Sequence, residues 1–387
     1  MTAAGRRPAA ERRPAAGRRP AVDLGHSVAE EPGRPSPDPG VLASQRSRRP
    51  AVMLDVAQLA GVSHQTVSRV LNGHPHVREQ TRERVLEAMG KLGYRRNLAA
   101  RALVTRQTDT IGVIAFDTAL YGPASTLFSL EKAARAQGHR VSIATVPHPD
   151  PVAFAEALGR LLEQSVTGVV VLAPQRAAVR MMASLPPDLP AVAVEGGTAP
   201  GVPSVVIDQL DGALQATGHL LELGHRRIVH VSGPADWVEA SARHQGWQQA
   251  LTTAGVDLPP VLQGDWSPRS GYEAGRRLVA AHPGTTAVFC ANDHMALGLV
   301  RALTEAGVSV PEQVSVVGFD DIAEAEFLCP PLTTVHQDFA EIGRRCVDVL
   351  LERVRSGGGW FDGPPVVVPS RLVVRRSTDV PGAGVPG

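Results

Sequence analysis

A chain of 387 residues with 43% hydrophobic content is long enough for two or three globular domains, and no apolar run in it is of the length that spans a membrane. Its formal charge of +1 leaves a nucleic-acid partner open, because a small basic module joined to a larger acidic or neutral domain averages to near zero. Cys290, Cys329 and Cys346 are far apart, odd in number and form no CxxC pair, so neither a disulfide framework nor a metal site is expected, no cofactor is called for, and the reducing cytosol is the expected compartment.

Residues 1–52 open with a repeated unit, RRPAAE, RRPAAG, RRPAVD, and carry almost no large apolar side chains, so this stretch is read as a disordered tail. No apolar run of the required length follows its paired arginines, which speaks against an export signal. Two uses stand open for it. It adds weak attraction to DNA phosphates, or it is an inert extension from a start placed upstream of Met53.

Leu54 to Gly73, LDVAQLAGVSHQTVSRVLNG, carries two short amphipathic helices joined by a Gly-containing turn, the outline of a helix-turn-helix. Val56, Ala57, Leu59 and Ala60 supply the apolar face of the first helix, Gly61 allows the positive φ of a sharp turn, and Ser63 is suited to cap the second helix. Val67, Val70 and Leu71 fall at the spacing that packs inward, leaving His64, Gln65, Ser68 and Arg69 outward. A third helix is marked by Val85, Leu86, Met89 and Leu92 and closed by Gly93, which makes residues 53–96 an all-α module. Arg95 to Thr108 follows, basic and too short for a stable isolated helix, so residues 97–109 are read as a linker.

From Thr110 the pattern changes to alternating strands and helices. Apolar runs recur as IGVIAFD from Ile111, HRVSIATV from His139, TGVVVLAP from Thr167, AVAVEG from Ala191, RIVHVSG from Arg227, TAVFCAN from Thr286 and VSVVGFD from Val314. Near-continuous apolar strands separated by helices imply parallel sheets covered on both faces, and about 270 residues of such sequence exceed one core. Residues 110–377 are therefore expected to form two doubly wound α/β subdomains, with a ligand bound beyond the carboxyl ends of the strands, and 378–387 a disordered tail.

These motifs carry a resemblance. The pattern DVAxxAGVSxxTVSRVLN from Asp55 to Asn72, ANDxMALG from Ala291, VGFDD from Val317, GDWSPRSGY from Gly264 and PPLTTVHQDF from Pro330 are similar to those of the lactose-repressor/galactose-repressor (LacI/GalR) family of transcriptional regulators, over about Met53 to Ser377. The fold this implies is a helix-turn-helix DNA-binding domain followed by a periplasmic-binding-protein-like sensor.

The resemblance places His64, Gln65 and Arg69 in the major groove of double-stranded operator DNA. Their chemistry suits base edges, since Arg can fork onto guanine O6 and N7 and Gln onto adenine N6 and N7. Ser63, Thr66, Ser68, Asn72 and His76 suit phosphates or helix caps, and His64 stands where the lactose-repressor branch of the family has tyrosine. Asn97, Ala100 and Leu103 are implied to lie in a hinge helix that forms on DNA, with Leu103 as a minor-groove wedge. For the effector, the resemblance implies Leu120, Gly122, Pro123, Glu195, Arg243, Trp266, Asn292, Asp320 and Gln337. Carboxylates, an amide and an Arg fork suit vicinal hydroxyls, and an indole face suits the C–H side of a pyranose. Two bland readings stand beside these: Asn292 as a helix cap and Trp266 as ordinary core. Glu195 replaces an aspartate, and Phe116 takes the place of a small hydroxyl residue.

The function so implied is a dimeric repressor released from a pseudo-palindromic operator by a small carbohydrate, a galactoside or other glycoside. A regulator that needs a purine or nucleoside corepressor is the alternative, with a solute-binding transport receptor behind it. The ending STDVPGAGVPG has no heptads, which favours a homodimer over a higher oligomer. An enzyme is not expected, since the chain has no GxxxxGK[ST], no nucleophile elbow and no HExxH.

Overall fold

The computed structural model describes residues 51–71, 74–94, 108–196 and 199–382. The chain divides into two compact units, Met1–Arg96 and Asn97–Gly387. Asn72 and the linker residues Asn97, Ala100 and Leu103 lie outside the described residues.

In the first unit α1 (Met53–Ala60), α2 (His64–Leu71) and α3 (Glu79–Leu92) surround a small core of Val56, Ala57, Ala60, Val67, Val70, Val85, Ala88 and Tyr94. Gly61 ends α1 at φ 63°, as the turn required, and the Val62 N–H closes on the Ala57 carbonyl at 3.0 Å. Gly93 ends α3 at φ 60° in the same way. Three expected core residues are on the outside: Leu59, Leu86 and Leu92 are 51%, 52% and 37% exposed. The inner stripe of α3 is Val85 and Ala88, and Leu86 stands one position off it; behind the Gly93 cap, Tyr94 is the side chain that goes inward.

The second unit contains two halves, each built on a sheet whose strands run parallel, except that the last strand of the second half pairs antiparallel. In the first, β1 (Thr110–Phe116), β2 (Arg140–Val146), β3 (Gly168–Leu172), β4 (Ala191–Val194) and β5 (Ser204–Ile207) are joined by β11 (Val366–Val368) in the order β11-β5-β4-β3-β1-β2. Its helices are α4 (Tyr121–Ala136), α5 (Pro151–Glu163) and α6 (Arg176–Met181). The second half opens with α7 (Gln209–Glu222), and its sheet has β6 (Ile228–Ser232), β7 (Leu262–Gln263), β8 (Ala287–Cys290), β9 (Ser315–Asp320), β10 (Thr333–Gln337) and β12 (Ser370–Val373) in the order β12-β10-β9-β8-β6-β7. With it go α8 (Val238–Thr253), α9 (Pro268–Ala281) and α10 (Asp293–Glu305), while α11 (Phe339–Ser356) returns to the first half. Both orders run 2-1-3-4-5 from the open edge, the doubly wound arrangement expected.

Alternate residues of each strand feed cores on both faces of its sheet. Ile111, Val113 and Ala115 pack with α11 on one side of β1, and Ile114 and Phe116 pack with Phe154 and Leu161 on the other. The run from His139 differs, since β2 is an edge strand and is only partly buried. Between the halves the chain passes three times, at Ile207–Gln209, Gln337–Phe339 and Val368–Ser370. The passages are tied together: the Asp208 N–H donates to the Val368 carbonyl at 2.9 Å, and Gln209 Nε2 donates to Gln337 Oε1 at 2.8 Å.

Composition assigned Thr378 and Asp379 to a trailing tail, but both are tied to the second sheet. The Asp379 carbonyl accepts from Ser315 Oγ at 3.1 Å and lies 2.9 Å from His225 Nε2, and Thr378 lies 3.0 Å from His219 Nε2. Buried polar side chains here need partners, and the C-terminal segment supplies them. Among the described residues no helix is long and apolar enough to cross a membrane.

Candidate functional site

On the first unit, α2 presents His64, Gln65 and Arg69 to solvent, while Val67 and Val70 face the core. Ser63 caps the helix: its Oγ accepts the Thr66 N–H at 3.1 Å and lies 2.9 Å from the Thr66 hydroxyl. Thr66 and Ser68 are half-buried, and His76 is exposed beside His74, with ring centroids 5.5 Å apart. One exposed helix face thus offers a guanidinium, an amide and an imidazole.

On the second unit a cleft of about 260 Å³ lies between the halves. All nine residues expected at the effector line it. All but Arg243, which stands in the second turn of α8, are at or shortly beyond the carboxyl end of a strand, where a doubly wound sheet leaves space for a ligand. Leu120, Gly122 and Pro123 follow β1 and Glu195 follows β4, while Arg243 and Trp266 come after β6 and β7. Asn292 follows β8, and Asp320 and Gln337 end β9 and β10. Backbone strain collects here as well: Glu195, Trp266 and Asp320 have φ of 68°, 75° and 112°, a region that non-glycine residues seldom occupy.

A closed ring of hydrogen bonds organises the floor. Arg243 Nε donates to Gln209 Oε1 at 2.8 Å, Gln209 Nε2 to Gln337 Oε1 at 2.8 Å, and Gln337 Nε2 to Asp320 Oδ1 at 2.7 Å; the ring closes where Arg243 Nη1 meets the same Oδ1 at 3.4 Å. Arg243 Nη1 also donates to the Ala291 carbonyl, and the guanidinium lies 3.8 Å from the ring centroid of Phe319. Every amide in the ring has its orientation set by its neighbours, so Asp320 is held in one position. Two passages between the halves, at Gln209 and Gln337, belong to this ring, which links the cleft floor to the connection between the halves.

Glu195 accepts from the buried hydroxyl of Thr126 and is itself buried. Burial pushes its carboxyl up to about 7, against the pull of the Thr126 hydrogen bond and of Arg243, and pushes Asp320 up to about 6. Both values lie above those of the unfolded chain, so the folded state holds the extra protons. The stabilising contribution is complete below the unfolded values and is lost as pH rises through about 6 and 7. Relative to Glu195→Gln, the ligand-free wild type should therefore lose about 1 kcal/mol of stability between pH 6 and pH 8. Parallel denaturant titrations of the two proteins check this; a constant difference across the range counts against it.

Asn292 takes the role of its bland reading. Its Oδ1 accepts the Met295 N–H at 2.9 Å, capping α10, and its Nδ2 donates to the Trp266 carbonyl at 3.1 Å. It lines the cleft while holding Trp266 in place. Trp266 is 7% exposed, its indole packs edge-on to Trp237 at 5.5 Å, and its Nε1 has no hydrogen-bond partner. Room for the indole comes from Gly233, where a Cβ would stand 2.3 Å from the ring. Gly233→Ala should displace Trp266 and lower the affinity of the cleft for its ligand by tenfold or more, about 1.4 kcal/mol. Unchanged effector affinity in a calorimetric titration of the variant would count against that placement.

Phe116 does not reach the cleft; it is fully buried and stacks on Phe154 with centroids 6.4 Å apart. Several lining residues escaped sequence reasoning: Tyr121, Gln209, Trp237, Glu239, His294 and Phe339. Gln209 follows β5, a four-residue strand that was not singled out, and Trp237 and Glu239 follow the β6 run that was. The strand-end rule applied evenly would have reached all three. Tyr121 contacts His294 of the opposite half at 6.2 Å and Phe339 at 5.8 Å, a juxtaposition no local pattern signals.

Residues 52–97 match the model for bacterial regulatory proteins of the lacI family, and residues 217–378 match the periplasmic binding protein-like domain. The chain is 35% identical over 335 residues to the lactose operon repressor of Escherichia coli (strain K12), covering 86% of this chain and 92% of that protein. It is 35% identical over 334 residues to the transcriptional repressor PurR of Haemophilus influenzae (strain PittEE), covering 84% and 98%. To the transcriptional regulator CelR of Thermobifida fusca it is 37% identical over 350 residues, covering 86% and 99%. The crystal structure of the lac repressor dimer bound to operator and the anti-inducer ONPF matches with a TM-score of 0.76 at 34% identity, covering 86% of this chain and 100% of that one. The CelR–cellobiose complex matches with a TM-score of 0.62 at 34% identity, covering 84% and 99%.

Proposed function

The chain belongs to the LacI family of bacterial regulatory proteins, and from that premise we propose that it is a cytoplasmic repressor released from its operator by a small neutral sugar, a galactoside or other glycoside. The observation that carries this reading is the cleft: an Arg, an amide and buried carboxyls converge at the strand ends of both halves beside an indole. Such a set donates to and accepts from vicinal hydroxyls, and the indole offers a flat apolar wall.

His64, Gln65 and Arg69 read bases in the major groove, while Ser63, Thr66, Ser68, Asn72 and His76 set position on the phosphates or cap helices. A homodimer places two such helices on a pseudo-palindromic operator, with Asn97, Ala100 and Leu103 in the connecting hinge. The relative solved as a dimer on its operator supports this arrangement. The sugar shifts the relation of the two halves, and linkage then requires DNA to weaken sugar binding by the same factor.

Relatives include both a repressor named for purines and a regulator solved with cellobiose. Trp237 and Trp266 stand at 70° to each other, so the two indoles do not form a parallel slot for a flat purine ring between them. The test is a gel shift of the purified chain on the DNA upstream of its own gene. A shift abolished by one sugar in a panel of mono- and disaccharides is the expected result; a shift strengthened by hypoxanthine or guanine, or one no sugar alters, overturns the reading.

A further inference from the structure

Glu239 stands in the first turn of α8, just after a loop that bridges the two halves: the Val238 N–H donates to the Pro174 carbonyl at 2.9 Å and the Arg176 N–H to the Asp236 carbonyl at 3.0 Å. The side chain is 6% exposed and lines the cleft, yet no hydrogen bond from another residue reaches either carboxyl oxygen. A buried carboxyl left without partners is costly, and natural structures keep few of them. Arg243, one turn further along α8, attracts it but makes it no hydrogen bond, being hydrogen-bonded to Gln209, Ala291 and Asp320. Burial and the Glu195 carboxyl from the opposite half raise the Glu239 carboxyl well above the usual range, against the pull of its own backbone N–H and of Arg243, which favours the protonated form, one that donates as well as accepts. Trp266, whose buried indole N–H also has no partner, belongs to the same cleft wall.

We propose that Glu239 is a specificity-determining residue of the cleft, hydrogen-bonding one hydroxyl of an uncharged sugar from the second half while Glu195 engages it from the first. The proposal rests on the sugar reading above and deepens it. A ligand held by one carboxyl from each half bridges them, so its hydroxyl pattern decides whether the halves come together on it. Glu195, Glu239 and Asp320 set three carboxyls around the one guanidinium of Arg243, a balance that favours an uncharged sugar over sugar acids and sugar phosphates.

The test uses the full chain and calorimetric titration with a panel of neutral mono- and disaccharides, followed by the monodeoxy analogues of whichever sugar binds tightest. Wild type should lose about tenfold or more in affinity on removal of one particular hydroxyl. In Glu239→Ala the parent sugar should bind about tenfold more weakly and that deoxy analogue no worse than the parent, with Glu239→Gln restoring most of the difference. The thermal midpoint of ligand-free Glu239→Ala should stay level or rise, because an unpartnered buried carboxyl has been removed; a purely structural role would lower it. If a sugar binds wild type, and Glu239→Ala binds it and every deoxy analogue within twofold of wild type, the role of Glu239 is overturned and the sugar reading stands. If no sugar binds wild type, the reading falls and the proposal with it.

Discussion

Arg69→Ala should lower affinity for the operator about 100-fold while leaving the affinity for unrelated DNA within a few-fold. Arg69 stands exposed on α2, on the face opposite the buried Val67 and Val70, so its removal disturbs no packing. A guanidinium forked onto guanine is worth about 1 to 3 kcal/mol of discrimination per base pair, and a two-fold-related pair of half-sites counts that loss twice. The fold and effector affinity should be unaffected, which separates this variant from one that simply unfolds. Fluorescence anisotropy on operator and scrambled duplexes across a range of salt reads the effect. Equal binding of wild type and variant to the operator at every salt concentration would remove Arg69 from the recognition face.

Asp320→Asn should bind the operator as the wild type does and fail to release it at effector concentrations that release the wild type. Asp320 Oδ1 accepts from Gln337 Nε2 at 2.7 Å and meets Arg243 Nη1 at 3.4 Å. Asparagine can keep an oxygen toward these donors only by turning its NH2 group to the side where the carboxylate had a second acceptor. Hydrogen bonds to a charged group contribute about 1.5 to 3 kcal/mol, so effector affinity should fall by about 10- to 150-fold. Asn is chosen over Ala because the residue sits at φ 112°, which asparagine tolerates better than most side chains. Release of the variant at the wild-type effector concentration would exclude Asp320 from the effector contacts.

The three-helix unit was readable because its signals are local. Gly61 at a positive φ, Ser63 as a cap and the inward Val67 and Val70 all follow from spacing within a few residues. Local spacing failed where burial depends on how far a neighbour extends: Leu59 and Leu86 satisfy an apolar count and remain exposed. In the second unit the runs that became β1, β3, β4, β6, β8 and β9 announced themselves by unbroken apolar sequence, whereas β7 and β11, of two and three residues, fall below the length at which periodicity speaks, and β5 and β12 are only four residues long.

By itself, the order of residues determined the succession of a small helical unit and two doubly wound halves, while the side chains expected in the cleft came from the family its motifs resemble. These are consequences of hydrophobic period and of motifs a few residues long. Only the tertiary structure decided the pairings between distant segments. That Gln209 and Gln337, 128 residues apart, close a ring with Arg243 and Asp320, and that Gly233 makes room for Trp266, depends on three passages of the chain between the halves. The solitary burial of Glu239 has the same origin. Whether a carboxyl meets water, a cation or nothing is settled by what the rest of the chain packs around it, and no local pattern encodes that.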